Sequence, residues 1–489
     1  MINLWKRQKR DANRALSRSE ILLTLGKRDS VTLGDAFENT LILGSPGSGK
    51  TSGSGDAYCK SLVRLGLGGL VLTAKPSDAA RWRRTCEIYG RSDDLIVISD
   101  SGDDQFNFMD YQLKLFGGSG KGIDSVVAML EAATNVASRA TGVKPAHGTE
   151  QFFENGIRRN CRASEALSVY STGSVSVSDM LEIMKEMPRI PAQAQNQTWR
   201  DNNLINHLLI MARERCKDPL SIHDINQLES YYFSEFPAIA ERTRSIFEAG
   251  VYGMLDPLSR GALYWIFGRG TNVTPEDCER GKIVVLNTPS STHGPIGAIS
   301  QTLFKIAFQK CIQQRTGDSN LPVFLFCDEF QSSITESDYQ HAAISRESRC
   351  VNVFMTQSIA SLYAVLGADE SGKAAVDALL GLANYKIFHA NADPITNTWA
   401  AEAIGRRRMR LRGNTVNHAP YRMMEIFRQE SGFSTSTSEA FEFPVMPHVF
   451  HSLLRGGPPR MQTEAIVFGS GRIWNGSGET YLKVLFNQG

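Results

Sequence analysis

The residues best suited to chemistry lie in one short segment, Gly44-Ser45-Pro46-Gly47-Ser48-Gly49-Lys50-Thr51. It fits G-x-x-x-x-G-K-[ST], a loop whose backbone N–H groups surround the phosphates of a nucleotide. Its glycines let the backbone approach an anion without a Cβ in the way. In such loops the lysine contacts the β- and γ-phosphates and the hydroxyl ligates Mg²⁺. We therefore predict that these eight residues bind a nucleotide, with Thr51 as a metal ligand; the alternative is a glycine-rich turn with an accidental lysine.

A second candidate pair, Asp328 and Glu329, ends the apolar run that begins at Pro322. Two acids at the end of a buried strand are costly unless a metal or donors compensate them. In phosphate-loop ATPases the first acid orders Mg²⁺, and the second can polarise the attacking water. We predict these roles for Asp328 and Glu329; the alternative is a strand end whose acids face solvent. The absence of a guanine-reading N-K-x-D motif argues against a small GTPase.

Three further residues flank the apolar run from Val351 to Thr356. Arg346 and Arg349 precede it, and a guanidinium placed against a neighbouring subunit's γ-phosphate would stabilise the charge that develops during hydrolysis. For both arginines, a surface ion pair is an equally good alternative to a role as finger. The sequence also does not show which of the two arginines would be the finger. Gln357 ends the run, where a γ-phosphate sensor is expected; the alternative is a glutamine satisfied by backbone groups. With Lys50 and Glu329, these three complete the candidate catalytic set.

Composition is that of an ordinary globular protein, with 489 residues, 42% hydrophobic and 21% charged. A formal charge of +2 means that any nucleic-acid surface must be local. The eight cysteines are scattered without C-x-x-C spacing, which argues against a disulfide framework or a zinc site. No apolar run reaches the ~18 residues that a membrane span needs.

The order of patterns predicts an α/β fold with a mainly parallel sheet, because its strand-like runs are continuously apolar. Asp328 lies 278 positions after Lys50, too far for a compact nucleotide domain without an insertion. Helical periodicity fills that interval. We predict a leader and first core part in residues 1–116, an all-α inserted domain in 117–244, and the second core part with C-terminal strands in 245–489. The segment from Gly405 to Phe443 is predicted to be loop-rich, with a basic cluster, RRRMRLR, and a flexible Ser/Thr connector.

The ordered motifs GSPGSGKT, FNFMD, GKIVVLN, FLFCDEFQ, SRESR and FMTQS resemble those of the coupling-protein ATPases of conjugation and type IV secretion. That family lies in the FtsK–HerA branch of P-loop DNA translocases, and the resemblance covers nearly the whole chain. It implies a RecA-like core with an all-α insertion, ATP and Mg²⁺ as cofactors, and a homohexamer that pumps DNA delivered with a relaxase. It assigns Lys50 and Thr51 the Walker A roles and Asp328 and Glu329 the Walker B roles. Gln357 becomes the sensor, and Arg346 or Arg349 the trans finger.

Three features depart from the family. Its members usually begin with a pair of transmembrane segments, and this sequence shows none. Ala74-Lys75-Pro76 stands where the family often has Asp-Pro-Lys, and Phe108 stands where a proline is common. A soluble variant, a separate membrane partner and a role outside secretion all remain open. We expect a cytoplasmic protein that associates with the inner membrane through a partner, with a relaxase or secretion-channel proteins as its protein partners.

The substrate remains open at this stage. RRRMRLR could meet DNA phosphates without reading sequence, and a solvated loop is at least an equal alternative. Besides a DNA translocase, the sequence allows an ATP-gated receptor for protein cargo, or a HerA-like motor in packaging or phage defence. Gly53 and Gly55, in the first helical turn after the loop, are hypothesised to admit a neighbouring subunit or the nucleotide base.

Overall fold

The computed structural model describes residues 16–117, 120–141, 150–315, 321–367, 369–417 and 432–488. In these ranges thirteen strands are present: β1 (Ile21–Thr24), β2 (Ser30–Thr32), β3 (Thr40–Leu43), β4 (Gly68–Leu72), β5 (Leu95–Ile98), β6 (Ile283–Leu286), β7 (Val323–Cys327), β8 (Cys350–Thr356), β9 (Tyr385–His389), β10 (Arg407–Asn417), β11 (Gly432–Glu442), β12 (Gln462–Gly469) and β13 (Tyr481–Asn487).

The helices of the same ranges fall into three groups. Before β5 lie α1 (Leu33–Ala36), α2 (Asp56–Leu65) and α3 (Pro76–Ile88). Between β5 and β6 lie α4 (Phe108–Leu115), α5 (Gly120–Thr141), α6 (Glu150–Thr172), α7 (Val177–Lys185), α8 (Pro191–Gln195), α9 (Gln197–Asp201), α10 (Leu204–Arg215), α11 (Pro219–Ser230), α12 (Glu241–Leu255), α13 (Gly261–Phe267) and α14 (Pro275–Glu279). After β6 lie α15 (Ser290–Gln313), α16 (Ser337–Ile344), α17 (Ile359–Leu366), α18 (Glu370–Gly381), α19 (Pro394–Ile404) and α20 (Pro447–His451).

A nine-stranded sheet within the described residues forms the centre of the fold, in the order β13-β12-β9-β3-β8-β7-β4-β6-β5. The strands from β9 to β5 are parallel, whereas β12 pairs antiparallel with both β9 and β13. Every residue of β3, β4, β6, β7, β8 and β9 is buried, as expected for strands covered on both faces. The predicted α/β class with a mainly parallel sheet is confirmed.

The helical block between β5 and β6 separates the two halves of the parallel sheet in sequence. Its long helix α5 packs along α15, and one apolar cluster includes Val127 and Leu130 of α5 with Leu303 and Phe304 of α15. The helices continue past Arg244 as far as Glu279 before the chain returns to the sheet. The division at residues 117 and 244 stays a prediction.

The structure corrects the description of the segment from Gly405 to Phe443. Where a loop-rich connector was predicted, β10 and β11 form an antiparallel ribbon, with Arg407 opposite Glu442 and Asn417 opposite Gly432. The predicted leader, too, includes the antiparallel pair β1–β2. The basic N-terminal segment, residues 1–14, lies outside the described residues. Among the helices of the described ranges, none combines the length and apolarity required to cross a membrane.

Candidate functional site

The parallel strands bring the predicted chemical groups to one edge of the sheet. β3 pairs with β8 and β8 pairs with β7, so Leu43 lies opposite Thr356, and Cys327 opposite Phe354. The phosphate loop, Gln357 and Asp328 each follow one of these strands directly. Because the carboxyl ends of parallel strands share an edge, residues almost 280 positions apart become neighbours.

The phosphate loop has the backbone that its glycines permit. Gly47 and Gly49 have φ angles of 74° and 88°, in the left-handed region that favours glycine. The helix after the loop begins with a π-helical turn, Thr51–Gly55, in which the Gly55 N–H donates to the Lys50 carbonyl at 2.8 Å. The Ser48 Oγ is buried and has no hydrogen-bond partner, so the loop holds a polar group ready for a ligand.

The hypothesis about Gly53 and Gly55 is wrong, because both glycines pack against this same chain. A Cβ on Gly53 would lie 2.5 Å from Thr463 Cγ2, and one on Gly55 would lie 2.9 Å from Met355 Sδ. The small residues are needed because strands β8 and β12 approach the helix closely.

Two contacts join the phosphate loop to the acid pair. The Lys50 ammonium lies 3.1 Å from Glu329 Oε1, and the Thr51 hydroxyl donates to Asp328 Oδ2 at 3.1 Å. The Lys50 and Glu329 side chains are 8% and 20% exposed, so this ion pair is largely shielded from water. The structure thus brings together four of the residues that the sequence singled out.

Glu329 is held as an ionised acceptor. Burial raises its pKa, but the Lys50 charge and hydrogen bonds from Gln331, Lys50 and Gln357 outweigh burial and leave the pKa below its usual value. Gln357 Nε2 donates to Glu329 Oε2 at 2.9 Å, and Gln331 Nε2 donates to the same oxygen. Glu329 also has a φ of 50°, a conformation that a non-glycine residue rarely adopts. Backbone strain at a carboxylate with fixed donors is typical of functional positions.

Asp328 is in a different electrostatic state. Burial, and then the nearby Asp78, raise its pKa to about 6, although Lys50 and Arg81 act in the opposite direction. A buried carboxylate beside a hydroxyl is a hard oxygen pair of the kind that Mg²⁺ prefers. The residues present therefore fit the predicted metal site, with Asp328 and Thr51 as the groups that could hold the ion.

The raised pKa of Asp328 leads to a test in metal-free protein. Because the folded-state pKa lies above the unfolded value, the folded state binds more protons between about pH 4 and 6, and stability falls as the pH rises through that window. Asp328→Asn should therefore melt higher than wild type at pH 7, by roughly 2 °C or more, with the difference vanishing near pH 4. Thermal melts in EDTA from pH 4 to 8 measure this difference. An equal gap at both ends of the range would mean that Asp328 does not titrate there.

Several polar residues of the site were not singled out from the sequence. Asp78 accepts from the backbone N–H groups of Ala74 and Lys75 at 3.0 and 2.9 Å, and Arg81 donates to the Thr51 carbonyl at 3.3 Å. Asn391 accepts from the Ser45 hydroxyl at 3.0 Å and donates to the Gln357 carbonyl at 2.9 Å. Their positions could have identified two of these residues from the sequence, because Asn391 closely follows the carboxyl end of β9 and Asp78 follows that of β4.

The two arginines have different surroundings. Arg349 is 4% exposed; its guanidinium donates to the Leu16 carbonyl at 2.6 Å and lies 5.9 Å from the centre of the Phe37 ring. Arg346 is 67% exposed and pairs with Glu38 at 3.5 Å. Both precede β8, whose seven residues span roughly 20 Å to the edge that carries Gln357. Neither arginine is therefore brought to the phosphate loop of its own chain.

Comparisons with known proteins found matches to the fold and to one segment of the chain. Residues 322–448 match the family model TraG-D_C, the TraM recognition site of TraD and TraG. The bacterial conjugative coupling protein TrwBdeltaN70, in an unbound form, matches with a TM-score of 0.56 and 13% identity over 97% of this chain and 90% of its own. Plasmid coupling protein TrwB matches both in complex with the ATP analogue ADPNP and in complex with ADP and Mg²⁺, each with a TM-score of 0.60 and 13% identity over 98% and 91% of the two chains. No curated protein sequence matches the chain.

At 13% identity the structural matches establish the fold, and the family model covers residues 322–448, which include Asp328, Glu329 and Gln357. The predicted resemblance is confirmed: this chain has the RecA-like fold, with its helical block, of the conjugative coupling proteins, and its residues 322–448 match the TraD and TraG family model.

Proposed function

We propose that this protein is an ATP-hydrolysing motor of the coupling-protein type, which recruits and moves DNA or a nucleoprotein substrate. The observation that carries the proposal is the joining of Lys50 to Glu329 and of Thr51 to Asp328 at the carboxyl edge of a coupling-protein fold. TrwB, which has that fold, has been solved with an ATP analogue and with ADP and Mg²⁺.

The ion pair between Lys50 and Glu329 would be exchanged for a contact between Lys50 and the nucleotide when ATP binds. Lys50 is neutralised by Glu329, so an incoming γ-phosphate competes with Glu329 for the ammonium. Once Lys50 turns to the phosphate, the Glu329 carboxylate is free to orient and polarise the attacking water, while the Gln357 amide holds its second oxygen. Mg²⁺, held by Thr51 and Asp328, would neutralise charge that develops on the β- and γ-phosphates.

A cavity beside the loop has room for the rest of the nucleotide. It measures about 710 Å³, and its lining includes Gly47 of the loop, Ser52 of the helical turn after it, Ile88 of α3, and Pro458 and Met461 before β12. Because phosphates at the loop fix one end of the ligand, we place the sugar and base here. Ile88, Pro458 and Met461 would contact the faces of a purine. Polar and charged side chains also line the cavity, among them Asp56, Lys60, Arg81 and Arg84.

The ribbon β10–β11 is the surface that we propose for DNA. Residues 406–443 contain seven arginines and four glutamates, so this segment is more positive than the whole chain, whose formal charge is +2. Arg408 and Arg410 are 66% and 78% exposed and share one acid, Glu439. Phe441, opposite Arg408, is 71% exposed, so an aromatic ring and guanidinium groups are available together.

DNA-stimulated ATP turnover tests the function and the surface together. Wild type should hydrolyse ATP faster with DNA, and Arg408→Ala/Arg410→Ala should bind DNA about tenfold more weakly, with a log K against log salt slope shallower by roughly 1.5. DNA-free turnover of the double variant should stay at the wild-type rate. Arg260→Ala, another exposed arginine on the helical block, is the control. An active wild-type oligomer that is indifferent to single- and double-stranded DNA would refute the motor proposal.

A homohexameric ring is part of this proposal, with Arg346 as the finger supplied to the next subunit. Arg346→Ala should slow hydrolysis by about 10²-fold or more without lowering the melting temperature. Arg349→Ala should lower the melting temperature, because Arg349 is buried against Phe37. Mixing Arg346→Ala with Lys50→Ala subunits should restore part of the activity. An Arg346→Ala subunit keeps an intact phosphate loop, and a neighbouring Lys50→Ala subunit supplies the Arg346 finger to it. No recovery on mixing, with mixed oligomers verified by mass, would contradict a finger in trans.

A receptor function is the second candidate. The matched family model is described as a TraM recognition site, which favours a protein partner for residues 322–448. If recruitment is the whole function, a relaxase or accessory protein should bind Glu329→Gln as tightly as wild type in a nucleotide-dependent way, and no DNA should move. DNA movement by the purified protein alone would exclude this candidate.

A further inference from the structure

We propose that Thr463 is a positioning residue of the nucleotide site, through which the hairpin β12–β13 holds the phosphate loop in its anion-binding conformation. The inference rests on the proposed ATPase function and deepens it. Strand β12 is separated from β3 by β9, so direct contact with the loop is not expected from strand order alone. It arises because β12 is antiparallel: Ala465 pairs with His389 at the end of β9, and Thr463 therefore lies beyond the carboxyl edge.

Thr463 uses both branches of its side chain. Its fully buried hydroxyl lies 2.6 Å from the Ser48 carbonyl, 3.1 Å from the Leu454 carbonyl and 3.4 Å from His389 Nδ1. One hydroxyl proton serves one acceptor at a time, and the shortest of these distances is to Ser48. The methyl and Cβ fill the space over the loop, since a Cβ on Gly49 or Gly53 would lie 2.7 or 2.5 Å from Thr463.

Holding this carbonyl also orients an N–H group. The peptide between Ser48 and Gly49 is planar and trans, so its C=O and N–H point in opposite directions. A Ser48 carbonyl fixed toward the hairpin therefore turns the Gly49 N–H away from it, to the other side of the loop. Arg455 has the same effect two peptides earlier, because its Nη2 donates to the Pro46 carbonyl at 2.6 Å and so orients the Gly47 N–H.

These contacts matter because glycine peptides reorient easily. Gly47 and Gly49 pay little steric cost in either half of φ space, so the loop alone does not fix where their N–H groups point. The hairpin supplies that restraint. Gln488, the residue after β13, contributes a third contact, from its Nε2 to the Ser52 hydroxyl at 2.5 Å. Backbone N–H groups that are oriented before the phosphates bind stabilise the bound substrate and the transition state equally. Losing the contact that orients them should therefore raise KM more than it lowers kcat.

Steady-state ATP hydrolysis by the full chain tests this. Thr463→Val keeps the shape and removes the hydroxyl, and it should raise the KM for ATP roughly tenfold while kcat stays within about threefold. Thr463→Ser keeps the hydroxyl and should restore most of the affinity. Thr480→Val, in the same hairpin, is the control, because Thr480 accepts hydrogen bonds from Trp474 Nε1 and the Gly469 N–H through its backbone carbonyl. An unchanged KM in Thr463→Val, or equal damage in the valine and serine variants, would overturn the proposal.

A paired substitution guards against misfolding of the valine variant. Gly53→Ala should impair nucleotide binding, because its Cβ meets Thr463 Cγ2, and adding Thr463→Ser removes that atom and should recover part of the binding. If the added Thr463→Ser restored no nucleotide binding, the contact between residues 53 and 463 would not influence the phosphate loop. Binding of a fluorescent ADP analogue is the second readout. If wild type binds this analogue but hydrolyses no ATP, the ATPase proposal fails while the effect of Thr463 on binding remains measurable.

Discussion

Replacing Glu329 by glutamine is expected to lower kcat for ATP by about 10²–10⁴-fold while leaving nucleotide binding intact. The glutamine keeps the size of the side chain and can still contact Gln357 and Gln331, but it loses the charge that polarises water. It also releases Lys50 from its ion pair, so ATP should bind at least as tightly as in wild type. Single-turnover hydrolysis and binding of a fluorescent ATP analogue, measured on the same protein, separate the two effects.

The matched control for this variant is Glu336→Gln, an exposed acid seven residues further along the chain. Its turnover should equal that of wild type. If Glu329→Gln retained more than a third of wild-type turnover, another group would have to orient the water, and Gln331 and Gln357, which both donate to Glu329, are the candidates.

Lys50→Ala should abolish both binding and hydrolysis, with kcat/KM lower by on the order of 10²–10³ or more. The ammonium is largely buried at the base of the loop, where its charge is poorly screened, so no nearby solvent cation replaces it. The contrast with Glu329→Gln is the informative result: one variant binds nucleotide without turnover, and the other does not bind.

Lys114→Ala is the control for the loss of a lysine, since Lys114 is 75% exposed and pairs with Asp110 on α4 at 3.0 Å. Binding measured by fluorescence anisotropy should not change in this control. Tight ATP binding by folded Lys50→Ala would show that the phosphates lie elsewhere and would remove the basis of the proposed site.

Local sequence patterns were sufficient to predict the central strands and the chemical groups at their carboxyl ends, although not the β10–β11 ribbon. Continuous apolar runs before Gly44, Asp328 and Gln357 indicate strands buried on both faces, because that pattern is local and depends on solvent exclusion alone. Since parallel strands end at a common edge, the convergence of Lys50, Thr51, Asp328 and Glu329 followed from the same local patterns. The resemblance to coupling proteins rested on these motifs in order.

Which surfaces meet could not be predicted from local sequence patterns. Arg346 and Arg349 are equivalent as residue types, yet Leu16 and Phe37, more than 300 positions away, bury one and leave the other exposed. Gly53 admits Thr463 rather than another subunit because β12 runs antiparallel and begins at the loop edge. Strand direction, ribbon pairing and burial of a particular arginine depend on contacts between distant segments, and no local pattern of residues encodes them.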